Sequence, residues 1–257
     1  MPIDNRWYDA LGDRWWDPRG PVAALHEFNP VRARYFGETI RRELPDVERP
    51  LILDVGCGGG LLAEAMAVEG FQTLGLDASV PSLDAARRHA APLKASLDGP
   101  PRYVGGDAQH LPFRDGSVDA VLCADIIEHL DEPDRLLRET ARVLRPHGLL
   151  LFDTPNRTWF SRIGLIWLAE NLGWAPKGTH EFSMFITPPE LTARCAAAGL
   201  LVREVRGLSL TRHPLAAAWG YLRRRELGGF ELSDDTRLSY AGYATVTGDV
   251  AGDRHAG

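Results

Sequence analysis

The amino-acid sequence predicts an α/β fold, a mostly parallel, doubly wound sheet of seven strands with helices on both faces. Three observations predict it. Short apolar runs alternate with helix-length segments from Leu51 to Asp153. A glycine-rich loop, Gly56 to Gly60, stands between the first such run and the first such helix. Two further strand patterns, at 200–205 and 238–246, appear after an interruption. Strands alternating with helices of this length imply a parallel, doubly wound sheet.

The elements follow in order. Leu51 to Val55 is a short apolar strand. Leu61 to Glu69 has helical spacing, with Leu61, Leu62, Ala65 and Met66 on one side, and Gly70 ends it. Gln72 to Asp77 is the second strand. Ser82 to Ala91 is a helix with Leu83, Ala86 and Ala90 inward. Tyr103-Val104 opens a third strand that ends near Asp107, and Val118 to Ala124 is the fourth. Pro133 to Leu144 is a helix entered through its proline and closed before Pro146 and Gly148. Leu149 to Asp153 is the fifth strand, Glu190 to Ala198 a helix, and 200–205 and 238–246 the last two strands. Residues 1–49 form an aromatic, arginine-rich helical lid, and 50–246 form the main domain. A cap insertion at about 155–189 carries an apolar helix-like run from Trp159 to Trp174. The Gly-, Asp- and Ala-rich tail, 247–257, is expected to be disordered.

Composition narrows the function. The 257 residues carry a formal net charge of −6, which argues against a nucleic-acid partner. The run Arg223-Arg224-Arg225 reads as a solvated face or as a contact to phosphate or a membrane surface. Three cysteines, Cys57, Cys123 and Cys195, are odd in number and widely spaced, so neither a disulfide framework nor a zinc site is expected. The N-terminus has no apolar signal core, and no run is long enough to span a bilayer. A reducing, cytoplasmic setting fits.

Chemistry concentrates at the ends of the predicted strands. Asp54-Val-Gly56-Cys57-Gly58-Gly59-Gly60 follows a strand and precedes a helix. Glycines let the backbone turn tightly and approach a ligand. A carboxylate two residues before the first glycine would repel a pyrophosphate and suits the positively charged end of a ligand. Asp77 ends the second strand, where an acidic side chain can accept two hydrogen bonds from a ribose diol or cap the next helix. Asp107 ends the third strand. Asp125, Glu128 and His129 follow the fourth, at the edge where ligands bind in open sheets. If the chain turns helical there, they share one face at i, i+3 and i+4. Two carboxylates and an imidazole can hold a divalent ion such as Mg²⁺, or form a metal-free Glu-His pair.

The loop Asp54 to Gly60 resembles motif I of the Rossmann-like class I methyltransferases that use S-adenosylmethionine (SAM). The resemblance implies SAM contacts from Asp54, Gly56, Cys57 and Gly58, from Asp77 and Ala78 at the ribose, from Asp107 and Ala108 at the adenine, and from Cys123 and Ala124. Arg14-Trp-Trp-Asp17, Leu25-His-Glu-Phe-Asn-Pro-Val-Arg32, Pro176-Lys-Gly-Thr-His180 and Phe185-Ile-Thr-Pro-Pro-Glu-Leu191 are similar to signatures of the UbiG-type O-methyltransferases of the ubiquinone pathway. That resemblance implies that Arg32 meets the SAM carboxylate. It also implies a divalent-metal site at Asp125, Glu128 and His129, with Asp125 one methylene shorter than the family's glutamate. Membrane contact through 159–174 is a third implication.

The expected reaction is transfer of the SAM methyl to a phenolic or catecholic oxygen of a small aromatic acceptor, such as a prenylated quinone precursor. A divalent ion can activate that oxygen, or His129 or His180 can act as general base. C- or N-methylation of a metabolite and SAM binding without turnover are the alternatives. The stretch Thr211 to Glu231, longer than the family pattern and rich in Trp, Tyr and Arg, points to a different acceptor.

Overall fold

A computed structural model describes residues 6–97, 99–164, 181–224 and 226–247. Most of the expected cap run (165–174), Lys177, His180 and the tail beyond Thr247 lie outside them. The strands are β1 (Leu51–Val55), β2 (Gln72–Asp77), β3 (Arg102–Gly105), β4 (Val118–Ala124), β5 (Leu144–Pro155), β6 (Leu200–Leu210), β7 (Phe230–Ser233) and β8 (Ser239–Val246). They form one sheet in the order β3-β2-β1-β4-β5-β8-β6-β7. The pairs among β1 to β5 are parallel. β8 runs antiparallel to both β5 and β6, and β7 antiparallel to β6.

Among the described residues the sheet therefore has eight strands, not seven. The extra one, β7, is the four-residue run Phe-Glu-Leu-Ser, too short for periodicity to reveal. Two strands are longer than expected. β5 begins at Leu144 because Leu144 pairs with Val118 across a bulge, and β6 reaches Leu210 because β7 supplies it with a partner.

The helices are α1 (Arg6–Asp9), α2 (Ala23–Glu43), α3 (Leu61–Val68), α4 (Val80–Ala90), α5 (Pro133–Val143), α6 (Trp159–Ser161), α7 (Pro188–Ala197) and α8 (Pro214–Arg224). Local chemistry sets their starts. The Ser79 hydroxyl accepts the Ser82 N–H at the head of α4, and Thr187 and Glu190 form a capping box before α7. Alternation along the strands sorts the core into two layers. Ile52, Leu122, Leu149 and Leu151 face Phe36, Ile40 and Met66 of α2 and α3. Leu53, Val121, Leu150 and Phe152 face Leu136, Leu137, Leu191 and Cys195 of α5 and α7. Each such fully buried side chain contributes about 1.5–3 kcal/mol. All three cysteines are buried and free of disulfides. Among the described residues, no helix is long and apolar enough to cross a membrane.

α8 lies in the excursion between β6 and β7 and is tied to α2. Tyr221 and Leu227 pack on Ala23 at the start of α2. The Glu27 carboxylate accepts the backbone N–H groups of Leu227, Gly228 and Gly229 at 2.5, 2.8 and 2.9 Å. Removing that acceptor orphans three donors at once. Glu27→Ala is expected to lower unfolding free energy by about 1–3 kcal/mol in urea titrations. It should also speed limited tryptic cleavage after Arg223 and Arg224. Unchanged cleavage would mean that packing alone holds the excursion.

Candidate active site

The glycine loop closes over the carboxyl ends of β1 and β2. Gly56 N–H and Cys57 N–H both donate to the Leu76 carbonyl, at 2.7 and 3.0 Å. Gly58 N–H donates to Asp77 Oδ2 at 2.8 Å, and Ser79 N–H to Asp77 Oδ1 at 2.8 Å. Gly56 has φ +74°, and a Cβ there would collide with the Ile126 side chain. Gly58 has φ +51°, and a Cβ there would lie 2.6 Å from the Trp15 ring. Both positions need glycine for conformation and for space. Asp77 thus braces the loop, and each oxygen keeps a second lone pair for a hydroxyl donor. Ala78, beside it, is exposed.

Acidic side chains gather behind this loop around one cation. Arg32, in α2, is buried, and its Nη1 lies 2.7 Å from Asp125 Oδ2 and 3.3 Å from Asp153 Oδ1. Its Nε donates to Asn29 Oδ1 at 3.3 Å, and Asn29 in turn donates to the Leu61 carbonyl at 2.9 Å. Asp54 and Asp153 are fully enclosed, and each keeps an Oδ2 without a hydrogen-bond partner. Glu128 accepts the Thr154 hydroxyl at 2.9 Å through Oε2, while its Oε1 has no partner. Buried carboxylate oxygens without donors are costly unless protonated or paired with a cation. The cluster suits a ligand that is positively charged at one end.

The N-terminal segment covers the same place. Tyr8 stacks on Trp15 with ring centroids 5.8 Å apart and meets His129 edge-on at 6.4 Å. Burial, then the charges of Asp125, Glu128 and Asp77, push the Tyr8 phenol well above its ordinary range. Trp15 Nε1 donates to Ser82 Oγ at 3.1 Å, and Trp16 Nε1 to the Gly59 carbonyl at 3.0 Å. Sequence reasoning placed these aromatics in a lid without placing them at the site. It also passed over Asp153. The signal for Asp153 was present: a carboxylate at the end of an apolar parallel strand, as at Asp125.

Other expected site residues are arranged differently. Asp125 is not on a helix: its φ is +49°, and only Ile127–His129 form a short 3-10 turn. The shared helical face expected for Asp125, Glu128 and His129 does not form. Among the described residues, no three His, Cys, Asp or Glu side chains converge as a metal site. Asp125 is engaged by Arg32, and Glu128 is buried with its Oε2 accepting the Thr154 hydroxyl. As arranged, this trio does not fit a divalent ion. A cation there would require Asp125 to give up the guanidinium and Glu128 to ionise. Asp107 turns to its own loop, accepting from Gln109 N–H at 2.8 Å and pairing with His110 at 2.7 Å. Ala108 is buried, Ala124 half-buried, and the Cys123 side chain is wholly enclosed in the core. His180 lies outside the described residues.

Burial is the main force on the acids. It pushes Asp54 up to about 7, against the pull of Arg32 and with a further push from Asp77. Burial, then Asp125, holds Glu128 well above the carboxylate range. For Asp153, burial outweighs the pull of Arg32 and leaves it raised too. A carboxyl with a raised folded-state value binds its proton more tightly folded than unfolded. The stability Asp54 contributes is therefore fully present below its ordinary value of 3.8 and is lost as pH rises through about 7. The thermal midpoint of the unliganded protein should fall between about pH 5 and pH 8, and fall less in Asp54→Asn. Parallel curves for the two proteins would place the titration elsewhere.

Residues 53–152 match the family model described as a methyltransferase domain. The ubiquinone biosynthesis O-methyltransferase of Azorhizobium caulinodans is 36% identical over 227 residues, covering 85% of this chain and 87% of that protein. The protein of the same name from Idiomarina loihiensis is 38% identical over 210 residues, covering 80% and 83%. A solved SAM-dependent methyltransferase from Thermotoga maritima superposes with a TM-score of 0.61 at 16% identity, over 93% of this chain and 98% of that one. The sheet order, the glycine loop with its acidic neighbours, and relatives aligned over most of their length agree: the chain is a Rossmann-like, SAM-dependent methyltransferase and belongs to the ubiquinone biosynthesis O-methyltransferase family.

Proposed function

We propose that this enzyme methylates a phenolic or catecholic oxygen of a small aromatic acceptor, a prenylated quinone precursor or another aromatic metabolite. The observation that carries the reading is the Glu128-His129 turn at the carboxyl end of β4, adjacent to the Arg32–Asp125 pair and under Tyr8. It puts a proton acceptor beside the cationic-ligand cluster. The names of the relatives support an oxygen acceptor and this acceptor class.

When bound, SAM supplies an electrophilic methyl on a positively charged sulfur. Asp54 and the Gly56-Cys57-Gly58 backbone receive the cofactor's amino end. Arg32 uses Nη1 and Nε in its present contacts and offers Nη2 to the carboxylate. Asp77, with Ala78, takes the ribose hydroxyls, and Asp107 and Ala108 border the adenine. Cys123 and Ala124 contribute backbone only. A phenol near pKa 10 is mostly protonated at neutral pH. His129 would take the acceptor proton on its imidazole and pass it to water. Glu128, whose carboxyl burial holds well above its ordinary range, anchors the turn by accepting the Thr154 hydroxyl. Tyr8 and Trp15 exclude water. The apolar side chains of Trp159, Phe160 and Ile163, 72%, 43% and 57% exposed, begin the 159–174 run that would rest on a membrane.

The test is mass spectrometry of SAM-dependent products from catechols with short prenyl chains, with NMR to assign the methylated atom. His129→Asn should lower kcat by about 10²–10⁴ while SAM affinity stays within about twofold. SAM affinity by calorimetry should tighten as pH rises through about 7, because Asp54 must ionise to meet an ammonium. Full activity in His129→Asn would overturn the proton route. Activity lost in chelator and restored by Mg²⁺ would move acceptor activation to a cation. A carbon- or nitrogen-methylated product would overturn the acceptor class.

A further inference from the structure

Helix α4 carries a row of polar side chains that methyl transfer does not use, and the N-terminal segment lies along it. Trp15 Nε1 donates to Ser82 Oγ, and the Trp16 ring lies flat on the His89 ring, with centroids 3.4 Å and planes 2° apart. Ser82 and His89, two helical turns apart, share a face of α4. Asp9 and Asp13 also reach α4, at Ser79 and Arg88, but both contacts are exposed to solvent. Exposed contacts of that kind hold little. The Trp16–His89 stack differs, because each of its rings has a further polar anchor.

Both anchors come from the turn that opens α3. Trp16 Nε1 donates to the Gly59 carbonyl at 3.0 Å. His89 Nδ1 lies 2.9 and 3.1 Å from the two oxygens of Glu64, whose side chain is 7% exposed. A carboxylate only accepts, so this contact keeps an imidazole proton on Nδ1 and fixes the plane of the ring. Glu64 N–H in turn donates to the Gly60 carbonyl at 2.9 Å. One turn therefore holds a ring from the lid and a ring from α4 by two independent polar contacts, and the two rings meet in parallel. Burial pushes the Glu64 carboxyl up, and the His89 hydrogen bond pulls against it, so the contact offsets part of the cost of enclosing that acid.

The consequence falls on the glycine loop. Gly12–Trp16 is a single 3-10 turn, so Trp15 and Trp16 move together. The Trp15 ring lies so close over Gly58 and Gly59 that a Cβ on either would collide with it. Trp15 cannot lift from the loop while its neighbour is clamped. Each of these contacts joins one protein group to another, so the clamp opposes entry to the loop and exit from it alike. We propose that Glu64 and His89 form a latch: His89 is a positioning residue that holds Trp16 on Gly59 and so sets how fast the cofactor enters and leaves the glycine loop. The latch rests on the reading that this loop receives SAM, and adds to it two residues whose contacts are with the lid and the turn.

The test is rapid filtration with tritiated SAM, which gives association and dissociation rates for the full chain, beside limited tryptic cleavage after Arg14 in the lid turn. His89→Ala should raise both rates about tenfold, leave the dissociation constant within about twofold, and speed cleavage after Arg14. Trp16→Ala should do the same, and the double variant should be no faster than either alone, because the two side chains act as one unit. Glu64→Ala should match them, while Glu64→Gln, which keeps an acceptor for the Nδ1 proton, should exchange SAM as slowly as the wild type. Circular dichroism checks that each variant is folded. Additive effects of His89→Ala and Trp16→Ala would overturn the latch, as would a faster dissociation with association unchanged, which would make His89 a cofactor contact. Faster cleavage at unchanged SAM rates would overturn it too, leaving His89 as packing. SAM affinity untouched in Asp77→Asn would remove the cofactor from this loop and the latch with it, a result that none of the His89 outcomes produces.

Discussion

Among the described residues, Arg32 is the one cation placed among the carboxylates at the carboxyl ends of β4 and β5. Its guanidinium spans Asp125 and Asp153, its Nε reaches Asn29, and its stem comes from α2, so a single side chain joins the N-terminal helix to two central strands. The arrangement is expensive, because Asp54, Asp153 and Glu128 are buried with oxygens that no protein donor meets. Burial raises all three, and one arginine cannot satisfy them together. Burial favours the protonated form of each, and a ligand with a positive end would offset that push.

The same constraint explains the lid. Tyr8, Trp15 and Trp16 cover the glycine loop and the acids, and the indole N–H groups of Trp15 and Trp16 are tied to Ser82 and to the loop backbone. A cover of aromatic rings lowers the local dielectric and strengthens each charge interaction beneath it. Glycines at 56 and 58 leave room for the Ile126 and Trp15 side chains that close over the loop. Loop, lid and acid cluster are one packing unit, and a change in any of them is felt by the others.

Side-chain character changes along the sheet's carboxyl edge. The loops after β1, β2 and β4 hold polar side chains, whereas the segments after β5 and β6 expose tryptophans with arginines over their rings, Arg162 on Trp159 and Arg223 on Trp219. Strands that point the same way send all of these loops to one side, so the polar and the aromatic side chains share one edge of the sheet.

The sequence by itself determined the order of strands and helices, the glycine loop and the acidic residues at strand ends. These are local signals: period-two runs, helical spacing, caps, and glycine where the chain must turn. It did not reveal β7, whose four residues are held in the sheet only by pairing with β6. It misplaced Asp125, because spacing assumes a helix and the left-handed backbone at that residue is imposed by its N–H bond to the Asp153 carbonyl and by Arg32. It passed over Asp153 and Tyr8 as site residues. Their roles come from contacts across 121 positions in the chain for Arg32 and Asp153, and from the fold of the N-terminal segment onto the sheet edge. Long-range contacts of this kind depend on tertiary packing, which alone decides which buried charges share an arginine and which aromatic face is left to meet the outside.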